Sequence, residues 1–295
     1  MNSKKEKNKG LHSKNLHKNG YDFELLMKEN EELKPFVSLN KFGNLSIDFS
    51  NSDAVFQLNK ALLNSHYSIS FYQIPKENLC PPIPGRVDYI HHLNDLISTK
   101  KNENIIGLDI GTGANCIYPI LGCSVYNWNF IGSDISKKSI FNAEKIVKRN
   151  NVLKNKIKFR LQKDSNFIFK NIIKKDDYFD FTMCNPPFHD SKEAALAGTQ
   201  RKWKNLKQET GKSDLNFGGI DNELWYEGGE KSFLHKMIKE STFYKKQVGW
   251  FTTLVSKKEN VKSMKKSLEK MQVKEIKVIE MQQGNKITRI VTWRF

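Results

Sequence analysis

The chain has 295 residues, 38% of them hydrophobic and 11% aromatic, which is enough to bury a sizeable core in a globular protein. No apolar run is long enough to span a bilayer, and Met1–Lys9 lacks the apolar segment of a secretory signal, so a membrane or exported protein is not expected. Lys+Arg 49 against Asp+Glu 32 gives a net charge of +17, which favours a polyanionic partner.

Residues 1–20 carry six Lys against one Glu and no periodic apolar face. They read as a flexible basic arm, either a solubilising tail or a nucleic-acid contact. From Tyr21 the pattern changes. Asp22 is placed to cap a short helix through Phe23, Leu25, Leu26 and Met27. Val55, Leu58, Leu62 and Leu63 recur at helical spacing behind Asn51-Ser-Asp53, and a further helix is predicted over Val87–Ser98. Together these make a small helical module. Leu79-Cys-Pro-Pro-Ile-Pro-Gly-Arg86 reads as a stiff extended connector, because three prolines restrict its backbone. It delivers Arg86 to a helix start, as an ordinary surface residue or as a bidentate clamp for a carboxylate. Cys80, Cys116, Cys123 and Cys184 show neither paired spacing nor a nearby His at metal spacing, and read as reduced core thiols of a cytoplasmic protein.

Asn104–Asp109 is a short apolar strand ending in an acid, followed by Ile110-Gly-Thr-Gly-Ala-Asn115 and an apolar segment from Ile117. Glycines let a ligand approach the backbone, and a helix start favours its negative groups. The spacing is not that of the GxGxxG dinucleotide fingerprint. Asn129–Asp134 is a second strand ending in an acid, suited to gripping ribose hydroxyls. Ser136 then caps an amphipathic helix reaching Asn150. Lys156–Leu161 is a third strand, with Asp164 just beyond it as an acceptor for an adenine amino group. Tyr178–Cys184 is a fourth, stopped by Asn185-Pro-Pro-Phe188. The prolines hold Asn185 extended. Its side-chain oxygen and the Pro186 carbonyl then offer two acceptors to one amino group, with the Phe188 ring beside them. Ligands of open α/β sheets bind outside the carboxyl ends of the strands, which is where all four polar residues fall.

The stretch after Phe188 lacks clear periodicity. Between Lys192 and Lys212, six Lys or Arg stand against two Glu around Trp203, a composition suited to single-stranded nucleic acid or to a solvated loop. A helix is predicted from about Ser232, then a strand over Gln247–Leu254, a Lys-rich helix over Lys257–Met271, and a hairpin of Val273–Met281 with Ile287–Phe295.

The Asp109-Ile-Gly-Thr-Gly113 turn is similar to the S-adenosylmethionine site of Rossmann-like methyltransferases. Joined with Leu11–His17, Tyr21-Asp-Phe23, Ser46–Phe49, Pro84–Ile90, Asp109–Pro119, Asn185–Phe188, Trp225 and Gly228-Gly-Glu230, it makes the chain resemble the large-subunit (23S) ribosomal RNA adenine-N6 methyltransferase family and related eukaryotic RNA adenine methyltransferases. The resemblance implies an α/β fold: a seven-stranded Rossmann-like methyltransferase domain over 101–295, with a basic substrate loop at 189–230, behind a mainly helical RNA-binding module over 21–100. It implies S-adenosylmethionine as cofactor. Arg86, Asp109, Gly111, Gly113, Asn115, Asp134, Asp164 and Asn185 would form its site, and Asn185, Pro186, Pro187 and Phe188 would hold the reacting base. The expected reaction is N6-methylation of one flipped-out adenine of 23S ribosomal RNA, free or in a large-subunit assembly intermediate, by a monomer that uses no metal. The alternatives are an RNA-binding assembly factor with a vestigial pocket, and an N6-adenine methyltransferase of another RNA or of DNA.

Overall fold

Seven strands form one mixed sheet, and its order explains where a ligand can sit. They are β3 (Ile106–Ile110), β4 (Asn129–Asp134), β5 (Ile157–Leu161), β6 (Phe179–Cys184), β7 (Val248–Val255), β8 (Glu275–Gln283) and β9 (Lys286–Arg294), in the order β5-β4-β3-β6-β7-β9-β8. The computed structural model describes residues 10–76, 78–97, 104–187, 225–283 and 286–295. Strands β3 to β7 pair in parallel, and β9 runs antiparallel to both β7 and β8. This is the expected Rossmann-like arrangement. The order reverses at β3, which has β4 on one side and β6 on the other, so a crevice opens at its carboxyl end.

Every residue of β6 is buried, as a central parallel strand covered on both faces requires. Helices α3 (Ile83–Ile97), α4 (Ile117–Tyr126) and α5 (Lys137–Arg149) cover one face of the sheet, and α6 (Gly229–Ser241) with α7 (Lys258–Lys270) covers the other. Under the first group lie Tyr89, Leu121, Phe130, Ile146 and Phe181. Under the second lie Phe169, Leu234, Met237, Phe251, Met264 and Trp293. Burial of side chains this large supplies roughly 1.5–3 kcal/mol each. All four cysteines are buried free thiols, and no helix among the described residues is long and apolar enough to cross a membrane.

Ahead of the sheet come α1 (Phe23–Glu29), capped by Asp22, and α2 (Ser52–Tyr67), capped by Asn51, both as the sequence predicts. Between them is a hairpin that the sequence reading missed, β1 (Val37–Leu39) with β2 (Leu45–Ile47). Three-residue strands are too short to show a period. The apolar core runs without a break from Phe23, Leu26 and Leu62 through Tyr89 and Leu121 to Phe181. Helix α3, assigned from sequence to the N-terminal module, packs on α4 and the sheet, with the Tyr89 and Tyr118 rings edge to face at 5.5 Å.

Two expectations need correction. The flexible arm does not extend to residue 20. The His12 N–H and the Asn15 side-chain amide both donate to Asp88 Oδ1, at 2.7 and 2.9 Å, and His17 Nε2 lies 2.7 Å from the Tyr67 hydroxyl. Asn15 and His17 are buried within a segment whose charge alone suggested solvent. Nor is Arg86 at the end of an extended connector. Helix α3 already begins at Ile83, because a proline in the first turn gives up an N–H that has no helical partner anyway.

Candidate active site

At the carboxyl end of β3, Gly111 and Gly113 have φ of 71° and 64°, a left-handed backbone open to glycine without strain. That turn is strapped to β4. The Gly111 and Thr112 N–H groups both donate to the Ser133 carbonyl at 2.9 Å, and the Gly113 N–H donates to Asp134 Oδ2 at 2.9 Å. Asp134 Oδ1 accepts from the Ser136 N–H at 2.8 Å, at the start of α5. One carboxylate thus joins the glycine turn to the next helix, with lone pairs left for a ligand. Burial raises the Asp134 pKa, and the backbone N–H groups of Ser136 and Gly113 oppose the shift. Asn115 fixes the start of α4: its Oδ1 accepts from the Ile117 N–H at 3.1 Å and its Nδ2 donates to the Leu79 carbonyl at 3.3 Å.

These residues line a cavity of about 650 Å³ that extends over the ends of β3, β4, β5 and β6. Arg86, Gly111, Gly113, Asn115, Asp134 and Asn185 all face it, so residues far apart in the chain meet at one cavity. Arg86 Nη1 donates to the Tyr118 hydroxyl at 2.6 Å, while its buried Nε has no hydrogen-bond partner among the described residues.

Asp109 and Asp164 lie outside the cavity lining. Asp109 is buried within β3 beneath the turn, and its oxygens make no well-formed hydrogen bond among the described residues. Burial pushes its pKa up to about 8, against the opposing effect of the Thr112 hydroxyl. Asp164 instead closes a turn, its Oδ1 accepting from the Asn166 N–H at 2.9 Å and its carbonyl from the Phe167 N–H at 3.0 Å. Gln162, Ser165, Asn166, Phe167 and Ile168 take the place expected for it in the lining. This segment is held by a helix on the same face of the sheet. The buried carboxylate of Glu240, on α6, accepts from the Ile168 N–H at 3.0 Å and the Phe169 N–H at 2.8 Å.

At the end of β6, Asn185 and Pro187 face the cavity, Pro186 is buried outside its lining, and Phe188 lies outside the described residues, as do Trp203 and the basic stretch around it. Asn185 Oδ1 is buried and has no hydrogen-bond partner among the described residues. Behind it, Thr252 Oγ1 donates to the Thr182 carbonyl at 2.7 Å and lies 2.6 Å from the Tyr89 hydroxyl. With its one proton committed, Thr252 must accept from Tyr89. This chain of bonds sets α3, which carries Arg86, against β6, which leads directly into Asn185.

The sequence marks Trp225 and Gly228-Gly-Glu230 by resemblance but does not place them in the site, where they contribute to the far wall. Trp225, Tyr226, Gly228 and Phe233 line it, brought in by a turn in which the Gly229 N–H donates to the Tyr226 carbonyl at 2.7 Å. Buried Glu230 then accepts from the Ser256 N–H at 2.8 Å and from Asn260 Nδ2 at 2.6 Å, which pins the start of α6 beyond the end of β7. The Gly228-Gly-Glu230 motif marks the spot, although nothing in its spacing reveals the anchoring.

A family model described as RNA methyltransferase matches residues 5–295. The chain belongs to that RNA methyltransferase family. Among its relatives, a protein of Christiangramia forsetii called Ribosomal RNA large subunit methyltransferase F is 52% identical over 97% of this chain and 100% of its own length. A Flavobacterium johnsoniae protein of the same name is 53% identical, over 97% of this chain and 93% of its own. Among solved structures, the hMettl16 catalytic domain in complex with MAT2A 3'UTR hairpin 1 superposes with a TM-score of 0.83 at 32% identity, covering 97% of this chain and 96% of that one. The N-terminal domain of human METTL16 in complex with SAH gives a TM-score of 0.78 at 28% identity, over 97% and 99%. The family's fold and this sheet order therefore agree.

Proposed function

We propose that this family member transfers a methyl group from S-adenosylmethionine to N6 of one adenine in large-subunit (23S) ribosomal RNA. The observation that carries the reading is Asn185 Oδ1, a buried acceptor that has no hydrogen-bond partner among the described residues, in the same cavity as the strapped glycine turn and Asp134. A buried unmet acceptor costs about 1–3 kcal/mol, so a site retains one when a ligand supplies the donor. The names of the relatives support ribosomal RNA as substrate, and the net charge of +17 suits phosphate contacts.

The residues present fit the cofactor. The left-handed turn at Gly111–Gly113 lets a ligand approach the backbone, and a side chain at Gly111 would project into open space. Asp134 would hold the ribose hydroxyls, Arg86 the carboxylate, and the Gln162–Ile168 segment the base. Bound there, S-adenosylmethionine supplies an already activated methyl on its sulfonium. The remaining task is to present the nucleophile. An exocyclic adenine amine is weakly nucleophilic because its lone pair is shared with the ring. Asn185 Oδ1 and the Pro186 carbonyl would accept its two hydrogens and favour a pyramidal nitrogen whose lone pair points at the methyl. Phe188 would stack on the base once it has left its own stack, at a cost of a few kcal/mol that unpaired RNA reduces.

The test is methyl transfer from labelled S-adenosylmethionine to unmodified large-subunit ribosomal RNA, read by nucleoside mass spectrometry, with an Asn185→Ala protein alongside. A single N6-methyladenosine that disappears in the variant is the expected result. Labelling of an assembly particle but not of free RNA would move the substrate and keep the chemistry. RNA binding without any transfer would favour the assembly-factor alternative.

A further inference from the structure

Trp225 joins Arg86, Thr112 and Asn185 as a lining residue with a buried polar atom that has no hydrogen-bond partner among the described residues. Its indole nitrogen is buried, has no hydrogen-bond partner among the described residues, and belongs to a side chain in the same lining as Asn185. An indole N–H can only donate, and leaving one buried and unmet costs about 1–3 kcal/mol. Among the described residues, Arg86 and Thr112 have such atoms toward the glycine turn, and the end of the cavity away from it holds an unmet donor, Trp225 Nε1, and an unmet acceptor, Asn185 Oδ1. Their natural complement is a ligand edge that places a donor next to an acceptor.

We infer that the Trp225 indole N–H donates to the ring nitrogen N1 of the target adenine, so that Trp225 and Asn185 together read the base's Watson–Crick edge. The inference rests on the adenine-N6 reading above and adds a specificity-determining residue to it. Adenine offers N6–H as donor and N1 as acceptor side by side. Guanine and hypoxanthine place an N–H at position 1 and an oxygen at position 6, so each would set donor against donor and acceptor against acceptor.

The same edge occurs on the adenine of the cofactor, and the fold chooses between the two. The base and ribose sides of the cofactor site, Gln162–Ile168 and Asp134, follow β5 and β4, on one side of β3. Trp225 stands on the other side. The turn closed by the Gly229 N–H on the Tyr226 carbonyl keeps it close to Glu230, which is bonded to the Ser256 N–H just past β7. Strand β7 neighbours β6, the strand that presents Asn185. Donor and acceptor thus share the β6–β7 side of the crevice.

The experiment uses the full chain and an RNA fragment containing the mapped adenine, made with adenine, 1-deazaadenine or 7-deazaadenine at that position. Wild type and Trp225→Phe, which keeps the ring and loses the N–H, are compared by kcat/KM, by fragment affinity in the presence of S-adenosylhomocysteine, and by affinity for S-adenosylhomocysteine alone. On 1-deazaadenine the wild type should lose about ten-fold, the worth of one ordinary hydrogen bond, and on 7-deazaadenine far less. Trp225→Phe should lose about ten-fold on adenine and nothing further on 1-deazaadenine, since both changes remove the same bond. Independent, multiplying losses would overturn the assignment. So would a ten-fold loss of S-adenosylhomocysteine affinity in Trp225→Phe, because the N–H would then serve the cofactor. Wild-type indifference to 1-deazaadenine would overturn it even if the variant misfolds. If wild type methylates no adenine in any fragment or particle, the underlying function falls and this inference with it. Normal methylation with additive losses removes the inference alone.

Discussion

The two sides of the cavity differ in how their polar groups are used. On the β3–β4 side the backbone is satisfied from within: Gly111 and Thr112 donate to Ser133, and Gly113 and Ser136 donate to Asp134. On the β6 side, Asn185 Oδ1 and Trp225 Nε1 are buried and have no partner among the described residues. A turn whose backbone is satisfied in this way holds its shape before any ligand arrives, although the Asp109 carboxylate and the Thr112 hydroxyl beside it have no partner among the described residues. A wall with unpaired polar groups keeps their bonding for the molecule on which it acts. In the proposed reading the contrast separates cofactor binding from chemistry, and mutations on the two sides should separate them as well.

The largest effect is expected on the unmet side. Asn185→Ala should lower the rate of methyl transfer by about 10²–10³-fold, the usual cost of removing one polar group aimed at the reacting centre. Affinity for S-adenosylhomocysteine, followed by calorimetry, should change far less. Equal losses in both would erase the distinction between the walls. Asp134→Ala should do the opposite, weakening S-adenosylhomocysteine by about ten- to a hundred-fold, because one charge-assisted bond to the glycine turn and one to the start of α5 go with it. Its melting temperature should drop as well, since the Gly113 and Ser136 N–H groups lose their acceptor.

A smaller effect sharpens the comparison. Glu240 touches neither the cavity nor, in the proposed reading, any ligand, yet its carboxylate holds the Ile168 and Phe169 N–H groups. Glu240→Gln should raise KM for S-adenosylmethionine several-fold and leave kcat nearly unchanged, as expected of a residue that only positions the cofactor wall. A fall in kcat of the same size would assign it to the β6 side instead.

The smallest effect concerns stability away from both ligands. Burial holds the pKa of His17 and of His91 down to about 4, so the unfolded chain takes up the extra protons as pH falls below 6.5. Their contribution is complete above 6.5 and lost on the way to 4. Asp109, raised to about 8, acts in the other sense: its contribution is complete below 3.8 and lost as pH rises through 8. The three groups together place maximal stability near pH 6.5, with two protons opposing one on the acid side. Denaturant midpoints measured across pH 4–8 should show that optimum, and Asp109→Asn should flatten the alkaline limb and steepen the acid one.

Much of the fold was legible because its signals are local. Val248–Val255 and Phe179–Cys184 are apolar runs of strand length, and Ser136 and Asp22 sit where helix caps belong. The errors arose where local signals were overridden. Asn15 and His17 look like part of a polar tail, and they are buried because Asp88 and Tyr67 on distant helices supply their partners. Asp164 follows a strand as a ligand acid would, but its own turn uses the carboxylate, and the neighbouring residues line the cavity instead.

By itself, then, the sequence determined the strand and helix types, the glycine turn, and most of the residues that converge on the crevice, because each depends on the backbone preferences of a few adjacent residues. Tertiary structure alone decided which polar groups remain unpaired. That property depends on what every other element brings near a given atom, and so Trp225 and Glu240 acquired their places only when α6 packed against the sheet.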